Sequence, residues 1–425
     1  MKKPWWAAAL VAVLALASGC HNSGSAQNST SMRALNAVSD AEPLDVLIRD
    51  DVKFAGVALG TTTALSQFSS GDSDLKIRSS TNSAVLLEKT VSLGSGSITT
   101  LALYGKRGAI GTLQLAESVT SPSSGHFNVR AVGLSPDSGP VDVYFTSGNV
   151  TDVPASFSAV GFSVATAYAE AVPGTYRIFI TPAGTKEILF QSTPQVVSEG
   201  ASITVAVFPS GGGKLVNAVL LLEGSSGSGT LLPNPIGRLK AINAIPDAPP
   251  LNFKADGATL LSSVPFAGSS SYVQLATGSR TLQLESANVP GSIIASSSQT
   301  IAAARDYTLL ALDSFAAPRL ALITDDNTFP TSGFAKLRFI NALAGSTSVD
   351  VLVDFAGQAT GVGYGSASSY SQLAPGLTYT ITFATPGGVT VIATISPVEL
   401  DAGGIYTAVL LGAPGSAQIR LVRDR

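Results

Sequence analysis

The feature that most constrains the fold is an internal repeat of about 100 residues that occurs four times. Each copy begins at a basic residue and carries Asp or Asn twelve positions later. The basic residues are Arg33, Arg130, Lys240 and Arg338, and the twelfth positions are Asp45, Asp142, Asn252 and Asp350. Successive basic residues lie 97, 110 and 98 positions apart. A repeat of this length predicts four copies of one small domain.

Further landmarks keep the same order in every copy. A turn glycine lies 38 positions after the basic residue in copies one, three and four, and 44 positions after it in copy two, which indicates a six-residue insertion there. These glycines are Gly71, Gly174, Gly278 and Gly376. An apolar residue followed by threonine then recurs as Ile98-Thr99, Ile203-Thr204, Tyr307-Thr308 and Tyr406-Thr407.

The residues after each turn glycine alternate between apolar and polar with a period of two, which is typical of a half-buried β-strand. Pro173-Gly174 and Pro375-Gly376 favour type II turns. About seven short strands fit into each copy, and no segment has the pattern of an amphipathic helix. We therefore predict an all-β chain of four tandem antiparallel immunoglobulin-like β-sandwich domains.

Segments rich in Pro, Gly and Ser mark the boundaries between the copies. The predicted sandwiches are residues 33–118, 127–224, 237–326 and 334–425. The linkers between them predict separate domains on a semi-flexible string.

Two repeat positions predict local structure. Asn36, Gly133, Asn243 and Asn341 stand three residues after the basic residue. Asn and Gly both tolerate a positive φ, so we expect a left-handed residue or a bulge; the alternative is an Asn side chain that bridges to a neighbouring loop, with Gly133 as the exception. At the twelfth position, Asn252 replaces an aspartate, so we expect a hydrogen bond to a loop there and no role that needs charge.

The amino terminus resembles a bacterial lipoprotein signal. Lys2 and Lys3 precede an apolar run that is too short to span a bilayer, and Leu16-Ala17-Ser18-Gly19-Cys20 resembles a lipobox. The resemblance implies a signal peptide over residues 1–19, lipidation of Cys20, the only cysteine, and a flexible tether over 20–32. His21 follows the cysteine where aspartate would favour the inner membrane, so we expect a lipid anchor in the outer membrane of a Gram-negative bacterium, on an unresolved face.

Composition argues against several classes of function. The net charge is −3 and there is no basic patch, so nucleic acid is not an expected partner. Only two histidines and one cysteine are present, so we expect no zinc site, no catalytic triad and no cofactor. The Gly211–Lys214 segment departs from the phosphate-loop pattern and is predicted to be a hairpin turn. Asp72 with Asp74, and Asp325 with Asp326, are interpreted as turn residues, with a calcium site as the alternative.

The third copy carries a family resemblance. Ile245-Pro246-Asp247-Ala248-Pro249, and Ser135-Pro136-Asp137 followed by Val141-Asp142-Val143-Tyr144, resemble the secreted β-domains called domain of unknown function 4397. Copies one and four match this pattern more loosely. The resemblance implies an extracellular or cell-envelope β-domain and implies no activity.

These observations favour a non-enzymatic envelope lipoprotein that presents tandem domains as a spacer or as binding and adhesion modules, since repetition supplies reach and avidity. Envelope polysaccharide and protein are the candidate partners. Tyr168, Tyr272 and Tyr370 recur near a turn, where aromatic rings could stack on sugars, so the alternative is a carbohydrate- or matrix-binding lipoprotein with sites on the sandwich loops. A hydrolase would need two carboxylates close together in one cleft.

Overall fold

The computed structural model describes residues 29–117 and 120–425, so the predicted signal peptide, Cys20 and most of the predicted tether lie outside the described residues. The described chain is all-β: it forms 36 strands and one short 3-10 helix, Val150–Asp152. None of its described segments is a helix long and apolar enough to cross a membrane.

Units 1 and 2 form the amino-terminal half of the described chain. The strands of unit 1 are β1 Ser29–Asn36, β2 Leu44–Ile48, β3 Asp51–Val57, β4 Ser66–Ser69, β5 Gly71–Ser79, β6 Val85–Leu93, β7 Ile98–Lys106 and β8 Ala109–Ala116. The strands of unit 2 are β9 Phe127–Gly133, β10 Val141–Thr146, β11 Phe157–Val160, β12 Val164–Ala165, β13 Ala169–Ala171, β14 Gly174–Pro182, β15 Phe190–Gln191, β16 Gln195–Val197, β17 Ser202–Pro209, β18 Val216–Leu222 and β19 Thr230–Leu232.

Units 3 and 4 form the carboxyl-terminal half. The strands of unit 3 are β20 Ile236–Asn243, β21 Leu251–Ala255, β22 Ala258–Val264, β23 Val273–Ala276, β24 Gly278–Ser286, β25 Ile293–Ile301, β26 Asp306–Ser314 and β27 Ala317–Asp325. The strands of unit 4 are β28 Ala335–Leu343, β29 Ser348–Val353, β30 Ala356–Gly363, β31 Ser366–Ala367, β32 Ser371–Leu373, β33 Thr378–Ala384, β34 Val391–Glu399, β35 Ile405–Gly412 and β36 Gln418–Arg423.

Every unit contains two sheets with one shared topology. In unit 1 the antiparallel sheet has the order β3-β2-β5-β6 and the second sheet has the order β4-β1-β7-β8. The first strand of each unit pairs parallel with the strand equivalent to β7, so this second sheet is mixed. The predicted β-sandwich is confirmed, and the structure adds that the second sheet of each unit contains one parallel pair of strands. Period-two alternation reports burial and carries no information on strand direction.

Each unit has its own apolar core between its two sheets. Side chains that alternate along the strands fill it, as Leu75 and Ile77 do on β5. The unit 3 core contains Phe253 and Leu284, and the unit 4 core contains Phe339 and Phe383. Four separate cores agree with four copies of one domain.

Two further apolar clusters join the units in pairs. One combines Leu35 and Ala102 of unit 1 with Val132 and Phe208 of unit 2. The other combines residues of units 3 and 4, namely Ile242, Ala244, Leu310, Leu312, Ile340, Ala342, Val409, Leu411 and Val422. All of these residues belong to the mixed sheets or directly follow their strands. We call the faces that meet here the paired faces. The expectation of separate domains on a semi-flexible string is therefore wrong within each pair, because the mixed sheets are buried on both sides.

The strand boundaries also correct the predicted domain edges. Strand β1 begins at Ser29, inside the predicted tether of residues 20–32. Strand β19 lies in the predicted linker between copies two and three and pairs with β18, so this segment belongs to unit 2. Composition marked both segments as linkers because they are rich in small polar residues. Residues 29–32 instead extend β1 between β4 and β7, whereas β19 adds an edge strand beside β18.

Candidate functional site

The side chains of the repeat asparagines are buried and form hydrogen bonds to neighbouring segments, and their backbones are not in the left-handed conformation. None of Asn36, Gly133, Asn243 and Asn341 has a positive φ. In unit 1, Nδ2 of Asn36 donates to the carbonyl of Val57 at 2.8 Å, and Oδ1 accepts from the backbone N–H of Val38 at 2.9 Å. Asn243 and Asn341 make the equivalent bonds. The expected left-handed residue is therefore wrong at this position, and the bridging alternative describes the three asparagines.

Gly133 departs from the other three for a steric reason. A Cβ at Gly133 would collide with the carbonyl oxygen of Gly161, which approaches the strand in unit 2. The backbone between β11 and β12 therefore lies against Gly133 and leaves no room for a side chain there.

The residue at the twelfth repeat position ties its strand to a bulge in the next strand. Oδ1 of Asp45 accepts from the N–H of Gly56 at 2.9 Å, and Oδ1 of Asn252 accepts from Ser263 at 2.9 Å. Asp142 and Asp350 accept equivalent bonds from Ala159 and Gly361. The four donors, Gly56, Ala159, Ser263 and Gly361, all have φ between 50° and 63°. The left-handed residues of the repeat thus lie at these donors, and one oxygen acceptor, charged or neutral, suffices.

The turn glycines follow the prediction in three copies. Gly71, Gly278 and Gly376 have positive φ values of 103°, 99° and 74°. Gly174 does not have a positive φ, so the type II turn predicted after Pro173 is wrong.

The four repeat basic residues are buried at the paired faces, each with one acidic partner. Arg33 pairs with Glu117 at 2.7 Å, and Arg130 pairs with Glu223 at 2.9 Å. Arg338 pairs with Asp325, and Lys240 pairs with Asp424. No side chain among these eight is more than 9% exposed, so these charges lie inside the molecule, where only a close partner makes them tolerable.

The threonine aligned with each basic residue completes this cluster. The parallel register places Thr100 opposite Arg33 and Thr204 opposite Arg130. The repeat threonine of copy one is therefore Thr100, one position beyond the predicted Thr99. Thr100 Oγ1 donates to Glu117 at 2.8 Å, and Thr308 Oγ1 donates to Asp325 at 2.8 Å.

The repeat tyrosines pack against buried cations: Tyr168 and Tyr370 against repeat arginines, and Tyr272 against both Lys240 and the nearby Arg238. The rings of Tyr168, Tyr272 and Tyr370 lie under the guanidinium groups of Arg130, Arg238 and Arg338, at 4.6, 4.8 and 4.9 Å from the ring centroids. The hydroxyl of Tyr272 donates to Asp325 at 2.5 Å. Burial, together with the charge of Asp325, raises the pKa of Tyr272 well above its usual value. One face of each ring is covered by a guanidinium group in a cation–π contact, so these rings do not form an open stacking surface for sugars.

The pKa values of the cluster show how the charges are held. Burial alone would raise the pKa of Glu117, but hydrogen bonds from Arg33, Gly224 and Thr100 outweigh it and lower the pKa below 4.5. Burial likewise opposes the charge of Arg338, yet the carboxylate of Asp325 raises its pKa overall. The pKa shifts of Glu117 and Arg338 thus favour their charged forms because an oppositely charged partner outweighs the effect of burial.

Sequence reasoning missed the acidic partners, although a spacing marks them. Glu117, Asp325 and Asp424 each follow the repeat threonine by 17 residues, and Glu223 follows Thr204 by 19. The continuous apolar runs of the strands equivalent to β7 were a second signal, since strands buried on both faces do not alternate.

The other candidate residues have separate surroundings. Asp325 binds Arg338, whereas Asp326 binds Lys336 at 2.6 Å. Asp72 accepts from Ser92 at 2.5 Å, and the ring Nδ1 of His126 lies 3.0 Å from the carbonyl of Ser124. Within residues 29–117 and 120–425 no group of three His, Cys, Asp or Glu side chains has the geometry for a metal ion. Residues 211–214 connect the antiparallel strands β17 and β18 as a hairpin turn.

The comparisons with known proteins identify the family of the chain and find weakly similar solved structures. The family model "Domain of unknown function (DUF4397)" matches residues 30–144, 237–345 and 335–425. No curated protein matches the chain. Among solved structures, the Bacillus anthracis TIE protein is 12% identical, with 91% of this chain and 75% of that chain covered and a TM-score of 0.16. A family CBM26 module from Eubacterium rectale Amy13K, solved with maltoheptaose, is 12% identical, with 47% and 99% covered and a TM-score of 0.15.

Proposed function

We propose that this chain, which belongs to the DUF4397 family, is a non-enzymatic cell-envelope lipoprotein whose four sandwiches form a stiff spacer that presents its distal surfaces away from the membrane. One observation carries the proposal. The ionisable side chains that recur in the repeat, namely the basic residues and their acidic partners, are buried at the paired faces. In the second pair the ion pairs themselves cross the interface, and in the first pair Arg33 and Arg130 donate hydrogen bonds across it to backbone carbonyls. They serve assembly of the chain and are not offered to a substrate.

The paired faces supply the stiffness that a spacer needs. Phe208 and Leu35, at 1% and 0% exposure, pack between units 1 and 2, and Arg33 donates to the carbonyls of Leu222 and Gly227 across the same interface. Units 2 and 3 are also in contact, since Arg305 donates to Gly211 O at 2.9 Å and Gln274 donates to Ile188 O at 2.8 Å. An interface with an apolar centre and satisfied charges resists bending.

The anchor in this proposal is lipid on Cys20. A single acyl chain holds a protein to a membrane only marginally, whereas two or more chains hold it stably. The residues from Leu16 to Cys20 support this anchor, and His21 supports the outer membrane.

The anchor is tested by labelling with a fatty acid. Cells that express the full chain are grown with a clickable palmitate analogue, beside cells that express the Cys20→Ser variant. We expect label and membrane fractionation for the natural chain, and loss of both for the variant. Equal labelling of the two chains would disprove the anchor. Protease treatment of intact cells then separates surface display from periplasmic display.

The stiffness is tested by distance measurements between spin labels. The Cys20→Ser chain contains no cysteine, so pairs of cysteines can be introduced at exposed positions. Val52 with Val196 reports on units 1 and 2, and Val289 with Val391 reports on units 3 and 4; these side chains are 43–79% exposed. Narrow distance distributions are expected for both pairs. A broad distribution for either pair would contradict the stiff spacer.

A second candidate function is binding of an envelope polysaccharide at unit 2. Its insertion and the adjacent strands form a cleft of about 590 Å³, lined in part by Asn149, Arg177 and Gln191. Planar and amide side chains of this kind hydrogen-bond sugar hydroxyl groups. A glycan array probed with the Cys20→Ser chain tests it: binding that is lost in Arg177→Ala supports the candidate, and silence across a broad array contradicts it.

A further inference from the structure

Lys240 differs from the other repeat basic residues because it alone carries a primary amine. Its side chain is 1% exposed, and that of its partner Asp424 is 0% exposed. Nζ of Lys240 donates to Oδ1 of Asp424 across the interface between units 3 and 4. The same nitrogen lies 5.3 Å from the ring centroid of Tyr272. The two groups are thus held together in a site that excludes bulk water.

An amine and a carboxyl group in such a site have a chemistry that an arginine pair lacks. Arginine stays protonated in proteins and is not a nucleophile, whereas lysine becomes one when it gives up its proton. A buried ion pair is costly to keep charged, and transfer of one proton along the hydrogen bond converts it to an amine and a carboxylic acid. Three of the four repeat pairs cannot take this route because they contain arginine.

The second carboxylate oxygen of Asp424, Oδ2, accepts a hydrogen bond that favours attack of an amine on the carboxyl carbon Cγ. Thr407 Oγ1 donates to Oδ2 of Asp424 at 2.5 Å. Arg338 Nε donates to the same Thr407 hydroxyl at 3.0 Å, which orients and polarises it. Donors aimed at an oxygen that gains negative charge stabilise a tetrahedral intermediate. Thr407 is therefore a positioning residue, and Arg338 acts through it.

From this geometry we infer that Lys240 and Asp424 form an intramolecular amide bond that joins units 3 and 4. Nζ of Lys240 attacks Cγ of Asp424, and the new C–N bond forms while negative charge develops on Oδ2. The Cγ–Oδ1 bond then breaks. Oδ1 leaves as water with the two protons that Nζ gives up, and the neutral amide keeps the third proton. Nothing is oxidised or reduced, and both buried charges disappear.

Mass spectrometry of the full chain tests this bond. Under denaturing conditions, the natural chain should be lighter than its Lys240→Arg variant by the mass of the substitution plus one water molecule. Arginine occupies this position in the other three units and keeps the ion pair, so it is a matched control. Any lipid on the chain is common to both proteins and cancels. A difference equal to the substitution alone would overturn the inference.

A peptide map keeps the test decisive even if a variant folds poorly, because it needs only the natural chain. An amide at Lys240 blocks trypsin, so the peptide Leu239–Lys254 should appear joined to the carboxyl-terminal peptide that contains Asp424. Free peptides cleaved after Lys240 as the main product would contradict the bond. Thr407→Val, which removes the hydroxyl and keeps the size, should lower the linked fraction several-fold; an unchanged fraction would remove Thr407 from its positioning role.

Discussion

The two pairs of units use the same repeat positions to make different connections. In the first pair each arginine binds the acid of its own sandwich, Arg33 with Glu117 and Arg130 with Glu223. In the second pair the partners are exchanged: Lys240 of unit 3 binds Asp424 of unit 4, and Arg338 of unit 4 binds Asp325 of unit 3. The apolar contacts differ as well, since Phe208 fills the first interface where Leu312 and Leu411 stand in the second.

This difference shows which property the repeat preserves. Each copy places a cation, a threonine and an acid at one end of its mixed sheet, and each cation binds the closest acid, whether its own copy or the facing copy supplies it. The first interface depends more on aromatic packing, by Phe208 and by Tyr104 against Phe162, and on backbone acceptors for Arg33. The second depends more on ion pairs that cross the interface. The two pairs should therefore respond differently to the same kind of substitution.

The largest effect is expected for Arg338→Ala, which breaks the second pair only. It leaves the carboxylate of Asp325, at 0% exposure, without its cation, and the loss of one partner of a buried ion pair costs about 3–5 kcal/mol. Peptide-resolved hydrogen exchange should show faster exchange in β20, β26, β28 and β35, with β1 and β9 unchanged. Arg423→Ala, at an exposed pair with Asp401, is the control and should cost about 1 kcal/mol or less.

The next largest effect is expected for Phe208→Ala, which breaks the first pair. Removal of a fully buried aromatic ring costs about 3 kcal/mol or somewhat more, depending on how far the site collapses. The same exchange measurement should show faster exchange in β1, β7, β9 and β17 while the second pair keeps its protection. Phe355→Ala is the control, since that ring is 87% exposed. Equal loosening of both pairs would show that they are one cooperative unit.

A smaller effect is expected from pH at the first interface. The pKa of Glu117 is lower in the folded chain than its usual 4.5, so its contribution to stability is present above pH 4.5 and is lost as the pH falls through the lowered value. Glu117→Gln should weaken the first pair at neutral pH and flatten its loss of stability in acid. Hydrogen exchange in β1 and β9, measured during denaturant unfolding at neutral and at acidic pH, reports how the stability of the first pair depends on pH. An unchanged pH dependence would contradict the assignment.

The smallest effect is expected for Asp350→Asn, because unit 3 already carries Asn252 at the equivalent position. Oδ1 can still accept from Gly361, but the amide cannot accept from Gly387, which now bonds to Oδ2 at 2.7 Å. Loss of one hydrogen bond costs about 1 kcal/mol. Asp350→Ala loses both bonds and should cost more. Exchange in β29 and β30 distinguishes the two variants.

Much of this architecture could be predicted from particular residues. The spacing of the basic residues predicted four domains, and alternation after the turn glycines predicted strands such as β5 and β24. The role of Asp45 and its equivalents as hydrogen-bond acceptors could be predicted from the sequence because Asn252 replaces aspartate in copy three. The position of the left-handed residues could not be predicted, since Ala159 and Ser263 have no local preference for a positive φ. The bulge in which they lie imposes that conformation.

The sequence by itself determined the number of domains, their β class and the faces that turn toward each core, because period and spacing are properties of the chain. Tertiary structure alone decided that the first strand runs parallel to the strand equivalent to β7, that the sandwiches join in twos, and that Lys240 meets Asp424 where the other copies join arginine to an acid. A pattern along the chain records that a side chain must be buried or paired. It does not record which residue will be its partner, since that depends on the distance between groups that are far apart in the chain, as Lys240 and Asp424 are at 184 positions.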